Sequence, residues 1–198
     1  MSSAATKMSA QGKAEGVPAA PPQKKEPASQ ERNAGVSSPE PASTAIQVAQ
    51  ATHSDIQDIC ALYKKVWEEF KGKIPNEFEK TWQPSPLEFT SQMEGVTFFA
   101  ARRDRKLIGI LGVSMLDGSA RIVHVAVEPE YRKQGVGRAL LLSGIEWAKR
   151  SNAASLWTEP LTRFNHAIAL FKKLGFHETG VFHKHLWKED VQLLEMVL

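Results

Sequence analysis

The chain has 198 residues, enough for one globular domain with a remainder. Lys and Arg number 25 against 22 Asp and Glu, a net charge of +3, so charge alone gives no reason to expect a nucleic-acid partner. The single cysteine, Cys60, excludes an internal disulfide and a CxxC metal knuckle, and no apolar run approaches the roughly 18 residues of a membrane span.

Composition changes near residue 45. Residues 1–45 hold no aromatic residue, no Leu and no Ile, but six of the eleven prolines, ten Ala, seven Ser and three Gly. Such a stretch buries too little apolar surface to offset an ordering cost of about 1–2 kcal/mol per residue. We expect a disordered tail over 1–45 and one folded domain over 46–198. The first thirty residues lack the apolar stretch of a secretory signal, and a lone thiol is compatible with a reducing, cytoplasmic setting.

Within 46–198 the pattern reads as follows. Ile46–Gln50 is a short strand. Ser54 with Gln57 resembles a capping box, and Ile56, Ile59, Cys60, Tyr63, Trp67 and Phe70 then recur at helical spacing, so 55–71 is an amphipathic helix. A loop follows to Ser85, which caps a short helix opening at Pro86 and running to about Glu94. Val96–Arg102 and Leu107–Leu116 are strands around the turn Arg103–Lys106, and Asp117-Gly118 signals a hairpin into strand Arg121–Val127. A glycine-bearing loop leads to a helix from about Gly137 to Arg150. Ser155–Glu159 is a strand stopped by Pro160, His166–Leu174 a helix closed by Gly175, and Phe176–Trp187 with Val191–Leu198 a final hairpin. Hairpins mixed with helical crossovers imply an α/β fold with a mixed sheet.

The informative stretch runs from Val125 to Arg138: a buried strand, a proline stop, a basic turn, two glycines and a helix start. Gly135 and Gly137 remove Cβ atoms where a backbone would approach a ligand. The free N–H groups of a helix N-terminus carry the equivalent of about +0.5 charge, and Arg132, Lys133 and Arg138 add more. These features describe a pyrophosphate cradle. A tight strand-to-helix turn with solvated basic residues is the alternative.

Arg132-x-x-Gly135-x-Gly137 resembles the acetyl-CoA-binding motif [RQ]-x-x-G-x-[GA] of the GNAT superfamily of N-acetyltransferases. Ala167-Ile-Ala-Leu-Phe-Lys-Lys-Leu-Gly-Phe176 resembles the end of that family's N-x-x-A-x-x-[LF]-[YF]-x-x-x-G-F, with Phe164 in the asparagine's place and Asn165 one residue late. The likeness runs from about residue 46 to the C-terminus. Glu159, twelve residues before Phe171, is most similar to the branch that acetylates the N-terminal alanine of a ribosomal protein.

The resemblance implies a GNAT-like acyl-CoA N-acyltransferase fold with acetyl-CoA as co-substrate. It implies two parallel strands, 121–127 and 155–159, splayed around a pantetheine arm. Val125, Ala126 and Val127 would offer main-chain groups to the arm. Arg132, Lys133, Gln134, Gly135, Val136, Gly137 and Arg138 would wrap the pyrophosphate, Asn165 would bond the co-substrate or cap its helix, and Phe171 would pack on the arm. Glu159 matches the family's general base; the other reading is a strand-end carboxylate paired with Arg163 or solvent.

An attacking amine must be neutral. At pH 7 deprotonation costs about 4–5 kcal/mol for a Lys side chain but about 1–1.5 for an α-amine, and a carboxylate acting through water could take that proton. Relatives with tyrosine at the Phe171 position use it to protonate the leaving thiolate; phenylalanine cannot.

Because the branch it resembles acetylates an α-amine, the resemblance implies a protein N-terminal α-amine as the favoured acceptor, with a Lys side chain or small amine as the alternative, or no catalysis at all in an acyl-CoA-binding module. The protein would act as a monomer or homodimer, without nucleic acid, membrane or metal. His124 shares a face with Ala126 and Glu128 and faces the cleft or sits satisfied in the strand. His183 and His185 share a strand face without an evident third ligand. Cys60 reads as core, and Trp67 and Trp82 line the acceptor side or pack.

Overall fold

A computed structural model of the chain describes residues 45–78 and 83–198. The tail over 1–44 and Trp82 lie outside these residues. The described strands are β1 (Gln47–Gln50), β2 (Thr97–Arg103), β3 (Lys106–Leu116), β4 (Ser119–Val127), β5 (Ser155–Thr158), β6 (His177–Leu186) and β7 (Glu189–Val197). They form one seven-stranded sheet in the order β1-β2-β3-β4-β5-β7-β6. Every neighbouring pair is antiparallel except β4 and β5, so the mixed sheet expected from the sequence is present.

Among the described residues four helices cover the two faces: α1 (Ile56–Glu68), α2 (Pro86–Gln92), α3 (Val136–Arg150) and α4 (Asn165–Lys173). On one face, Ile59, Leu62 and Tyr63 of α1 and Phe89 of α2 meet Phe98, Ile110 and Ala126 of the sheet. On the other, Leu140, Leu141, Ile145 and Ala148 of α3 and Ile168 and Phe171 of α4 meet Leu111, Ile122, Leu156 and Leu194. A smaller cluster of Trp67, Ile74, Phe78, Leu161 and Val191 joins the end of α1 to the segment after β5.

Local chemistry sets the element ends. Ser85 caps α2 as expected: its hydroxyl accepts from Glu88 N–H at 3.3 Å while Glu88 accepts from Ser85 N–H at 2.7 Å. The capping box expected at Ser54 and Gln57 instead lies two residues earlier. Thr52 N–H donates to Asp55 at 2.8 Å, ahead of a 3-10 turn over His53–Asp55 that leads into α1. Asp55 also pairs with Arg102 of β2, a tertiary contact that local spacing cannot show. The cap of α4 is Phe164, not Asn165, which is the first helical residue. The last hairpin turns on Trp187 and Lys188, both in the left-handed region, so the strand β7 begins two residues before Val191.

One irregularity shapes the site. Gly112 faces His124 and Val113 faces Ile122, so Val123 is an extra residue in β4. The bulge reverses the alternation. Ala120 and Ile122 point to the α3–α4 core, whereas Ala126 points to the α1–α2 core.

Candidate active site

β4 and β5 pair at two positions only, Ala120 with Leu156 and Arg121 with Trp157. The Thr158 hydroxyl then donates to the Ile122 carbonyl at 3.4 Å. Beyond this link β4 continues along β3 to Val127 with no strand on its other side among the described residues. The result is a gap that opens from the parallel pair.

The backbone of β4 serves this gap. Glu128 N–H donates to the Ile108 carbonyl at 2.9 Å, which makes that pair hydrogen-bonded in the antiparallel ladder. Hydrogen-bonded and non-hydrogen-bonded pairs alternate. His124 and Ala126 therefore bond to β3, while Val125 and Val127 turn their N–H and C=O groups towards the gap. The Val127 carbonyl accepts from Arg132 Nε at 3.1 Å. Of the three residues expected to offer main-chain groups, Val125 has both free on that side and Val127 its N–H, the Val127 carbonyl being taken by Arg132; those of Ala126 belong to the ladder.

The loop after β4 ends at α3. Gly135 is its N-cap, with φ at +89°, in the left-handed region that a Cβ disfavours. The first intrahelical bond runs from Ala139 N–H to the Gly135 carbonyl at 2.9 Å. No side chain caps this end, so the N–H groups of Val136, Gly137 and Arg138 have no protein partner among the described residues. Lys133 and Arg138 are exposed beside them. Gly137 has a different reason to lack a side chain: a Cβ there would lie 3.1 Å from Leu170 Cδ2, so it lets α4 approach α3.

Three of the expected cradle side chains are engaged within the protein. Arg132 pairs with Glu69 and lies over the Phe70 ring, its centre 6.0 Å from the centroid. Gln134 accepts from Arg103 at 2.7 Å and donates to the Glu130 carbonyl at 2.8 Å. Val136 is buried in the core. These contacts brace the loop and leave its amides free to meet an anion.

A residue the sequence did not single out fixes the loop's start. Glu128 is 2% exposed and pairs with Lys65 of α1 and with Lys106 of β3, the latter at 2.9 Å. Burial pushes its carboxyl up, but the two lysines outweigh this and hold it below the usual carboxylate range.

Glu159 follows β5 and pairs with Arg121 of β4, not with Arg163. Arg163 is turned to Glu189 at 3.2 Å and to the Lys73 carbonyl. The Arg121 guanidinium stacks 4.9 Å from the centroid of Trp157. Since Leu156 belongs to the α3–α4 core, Trp157 and Glu159 project to the opposite face, as does Arg121 beside Ile122. His124 lies on that same face, its ring 5.7 Å from Tyr63 and 5.5 Å from Phe98. Burial, and then the charge of Arg121, push its imidazole down to about 4, so it is neutral at pH 7. The buried Tyr63 hydroxyl has no hydrogen-bond partner among the described residues.

The remaining candidates separate from this group. Phe171 is 3% exposed in the core, edge-on to Phe176 at 5.2 Å, and offers the gap little surface. Asn165 is exposed at the start of α4. Trp67 is buried, which makes packing its role. Cys60 donates to the Pro84 carbonyl at 3.5 Å, and burial pushes its thiol up. His183 pairs with Asp190 at 3.1 Å, and His185 stacks on Phe182. Among the described residues no helix is long and apolar enough to cross a membrane.

The residues present fit an acyl-coenzyme A. Unpartnered amides at Val136–Arg138 suit a diphosphate, and the unpaired edge of β4 suits an amide-bearing arm.

Comparison with known proteins agrees with this geometry. Over 92 residues the chain is 32% identical to [ribosomal protein bS18]-alanine N-acetyltransferase of Escherichia coli (strain K12), covering 46% of this chain and 62% of that protein. It is 26% identical over 105 residues to N-acetyltransferase 8B of Homo sapiens, covering 50% of this chain and 46% of that one. The chain thus spans less than two thirds of the length of the curated relatives it matches.

Among solved structures, the ribosomal-protein-S18-alanine N-acetyltransferase from Escherichia coli superposes with a TM-score of 0.64 at 22% identity, over 77% of this chain and 94% of that one. An N-acetyltransferase from Thermoplasma acidophilum in complex with coenzyme A gives 0.65 at 17% identity, over 78% and 99%. These structures share the fold. The sequence profile of the acetyltransferase (GNAT) family matches residues 58–176, and the chain belongs to that family.

Proposed function

We propose that the chain transfers an acetyl group from acetyl-CoA to a primary amine, with a protein N-terminal α-amine as the favoured acceptor. The observation that carries this reading is the gap beside β4, with the amides of Val125 and Val127 along it and those of Val136, Gly137 and Arg138 at its end. The relatives named for N-terminal alanine acetylation support the choice of acceptor.

The work divides among the chain's own groups. The amides of Val136–Arg138, with Lys133 and Arg138, hold the diphosphate. Val125 and Val127 align the arm, and the Val127 N–H is a fixed donor for a carbonyl oxygen. When bound, acetyl-CoA supplies an acetyl group as a thioester. Glu159 accepts the proton of the incoming amine through a water. With phenylalanine at position 171, the thiolate leaves without a side-chain acid from that position; a thiol pKa near 8.5 makes this tolerable. The chemistry resides within 46–198, and the protein works in the cytoplasm, where Cys60 stays reduced.

Incubation with acetyl-CoA and a panel of N-terminal peptides, Lys peptides and polyamines tests the reading. Acetylated peptide α-amines are expected. Acetylation of polyamines alone would reject the protein acceptor. Binding without transfer to any amine would favour a non-catalytic acyl-CoA-binding module, a reading motivated by the missing hydroxyl at Phe171.

A further inference from the structure

Among the described residues the Arg121–Glu159 pair is the one charged contact that spans β4 and β5 where their ladder ends. Three observations set Arg121 apart from a solvated arginine. It is about one-third exposed, its guanidinium is stacked on Trp157, and its Nε is buried without a partner among the described residues, leaving the Nη2 end directed to the carboxylate. Trp157 is in turn held in register with Glu195 of β7 and two residues from Glu159. The carboxylate is thereby fixed at the mouth of the gap by a planar group that is itself clamped.

We propose that Arg121 is the positioning residue for Glu159, holding its carboxylate aimed into the acceptor side of the gap. The inference rests on the reading of Glu159 as the proton acceptor. Among the described residues the other titratable groups on this face do not take that part. His124 on β4 is neutral near pH 7, Glu195 on β7 carries the wrong sign, and Arg163 after β5 is turned to Glu189. From α1, Tyr63 and Trp67 contribute no cation. An opposite charge in contact favours the ionised carboxylate, so removing it extends the protonated form to higher pH.

The test compares wild type, Arg121→Gln, Arg121→Lys and Glu159→Gln. The pH profile of kcat/KM is measured with acetyl-CoA and a peptide α-amine, and Glu159 is followed by carboxyl 13C titration, which needs no turnover. In Arg121→Gln the acidic limb and the carboxyl midpoint are expected to move up together by about one pH unit. kcat should fall about tenfold with KM for acetyl-CoA unchanged. Arg121→Lys should recover most of the shift, and it serves as the folded comparison if the glutamine variant is unstable. Unmoved limbs in both variants overturn the proposal, as does a carboxyl midpoint that ignores Arg121. If wild type transfers no acetyl group while the midpoint still responds to Arg121, acetyl transfer fails and this role fails with it. If transfer is intact in Glu159→Gln, the base assignment alone is wrong, and the role again falls.

Discussion

Gly109 and Val136 touch where the sheet meets the loop: a Cβ built on Gly109 would lie 2.9 Å from Val136 Cγ1. Gly109 faces Val127 across β3 and β4, and Val136 is the first residue of α3. This contact sets how closely the helix N-terminus approaches the edge of the gap. Gly109→Ala should lift that end of the helix. Overpacking of this kind costs about 1–3 kcal/mol. Urea unfolding should show a loss in that range, and calorimetry a weakening of acetyl-CoA binding beyond that of an equally destabilising change at Gly144, where a Cβ meets Leu111 far from the loop.

Gly135 makes a separate prediction, because its constraint is conformational. Its φ is +89°, and the nearest atom to a built Cβ is Ile46 Cδ1 at 4.0 Å, so space is open. Gly135→Ala should therefore cost about 1–2 kcal/mol through the backbone alone. The strain relaxes by moving the adjacent amides, and acetyl-CoA affinity measured by calorimetry should fall about tenfold, one factor of ten for each 1.4 kcal/mol. Equal affinity would mean that these amides do not hold the ligand.

His124 links stability to pH. Its folded value is about 4 against 6.5 for the free side chain. As pH falls through 6.5 the unfolded chain takes up a proton that the folded one refuses. Stability is thus full above about 6.5 and declines towards pH 4, by about 2–3 kcal/mol over the window. Denaturant unfolding at several pH values should show this slope, and His124→Gln should flatten it. An imidazole that titrates near 6.5 by NMR in the folded protein would contradict the prediction.

Trp187 is 51% exposed at the turn between β6 and β7, beside a pocket of about 380 Å³ lined by Pro75, Glu77, Lys188 and Glu189. An acceptor that enters beside the segment after α1 and this hairpin would meet Trp187. Trp187→Ala should raise KM for a peptide acceptor about tenfold and leave acetyl-CoA binding unchanged, because a large exposed aromatic commonly anchors a partner. An unchanged KM would place the acceptor elsewhere.

Much of this was legible in the sequence because it is local. The run from Val125 to Arg138 carries its strand, proline stop, glycines and helix start within fourteen consecutive residues. The turn at Asp117-Gly118 and the cap at Ser85 are equally short-range. What escaped depends on distant partners. Nothing around Val123 marks a bulge, since its cause is the register against Gly112 and Val113. Glu159 was weighed against Arg163 because the two are near in sequence, but the sheet brings it Arg121 from β4 instead. From the sequence Glu128 reads only as a neighbour of His124 on one strand face, and only the convergence of α1 and β3 makes it a buried ion-pair centre. Arg121, in a strand with no other Lys, Arg, Asp or Glu, was the available signal for the pair that went unread.

The central claim is that main-chain amides hold the co-substrate. Titrating 15N-labelled protein with acetyl-CoA tests it directly. The account predicts that the amide resonances of Val125, Val127, Val136, Gly137 and Arg138 shift together and saturate with one ligand per chain, while those of Ala126, bonded into the ladder, move least. Binding that leaves Val136–Arg138 unmoved, or no binding, would contradict it.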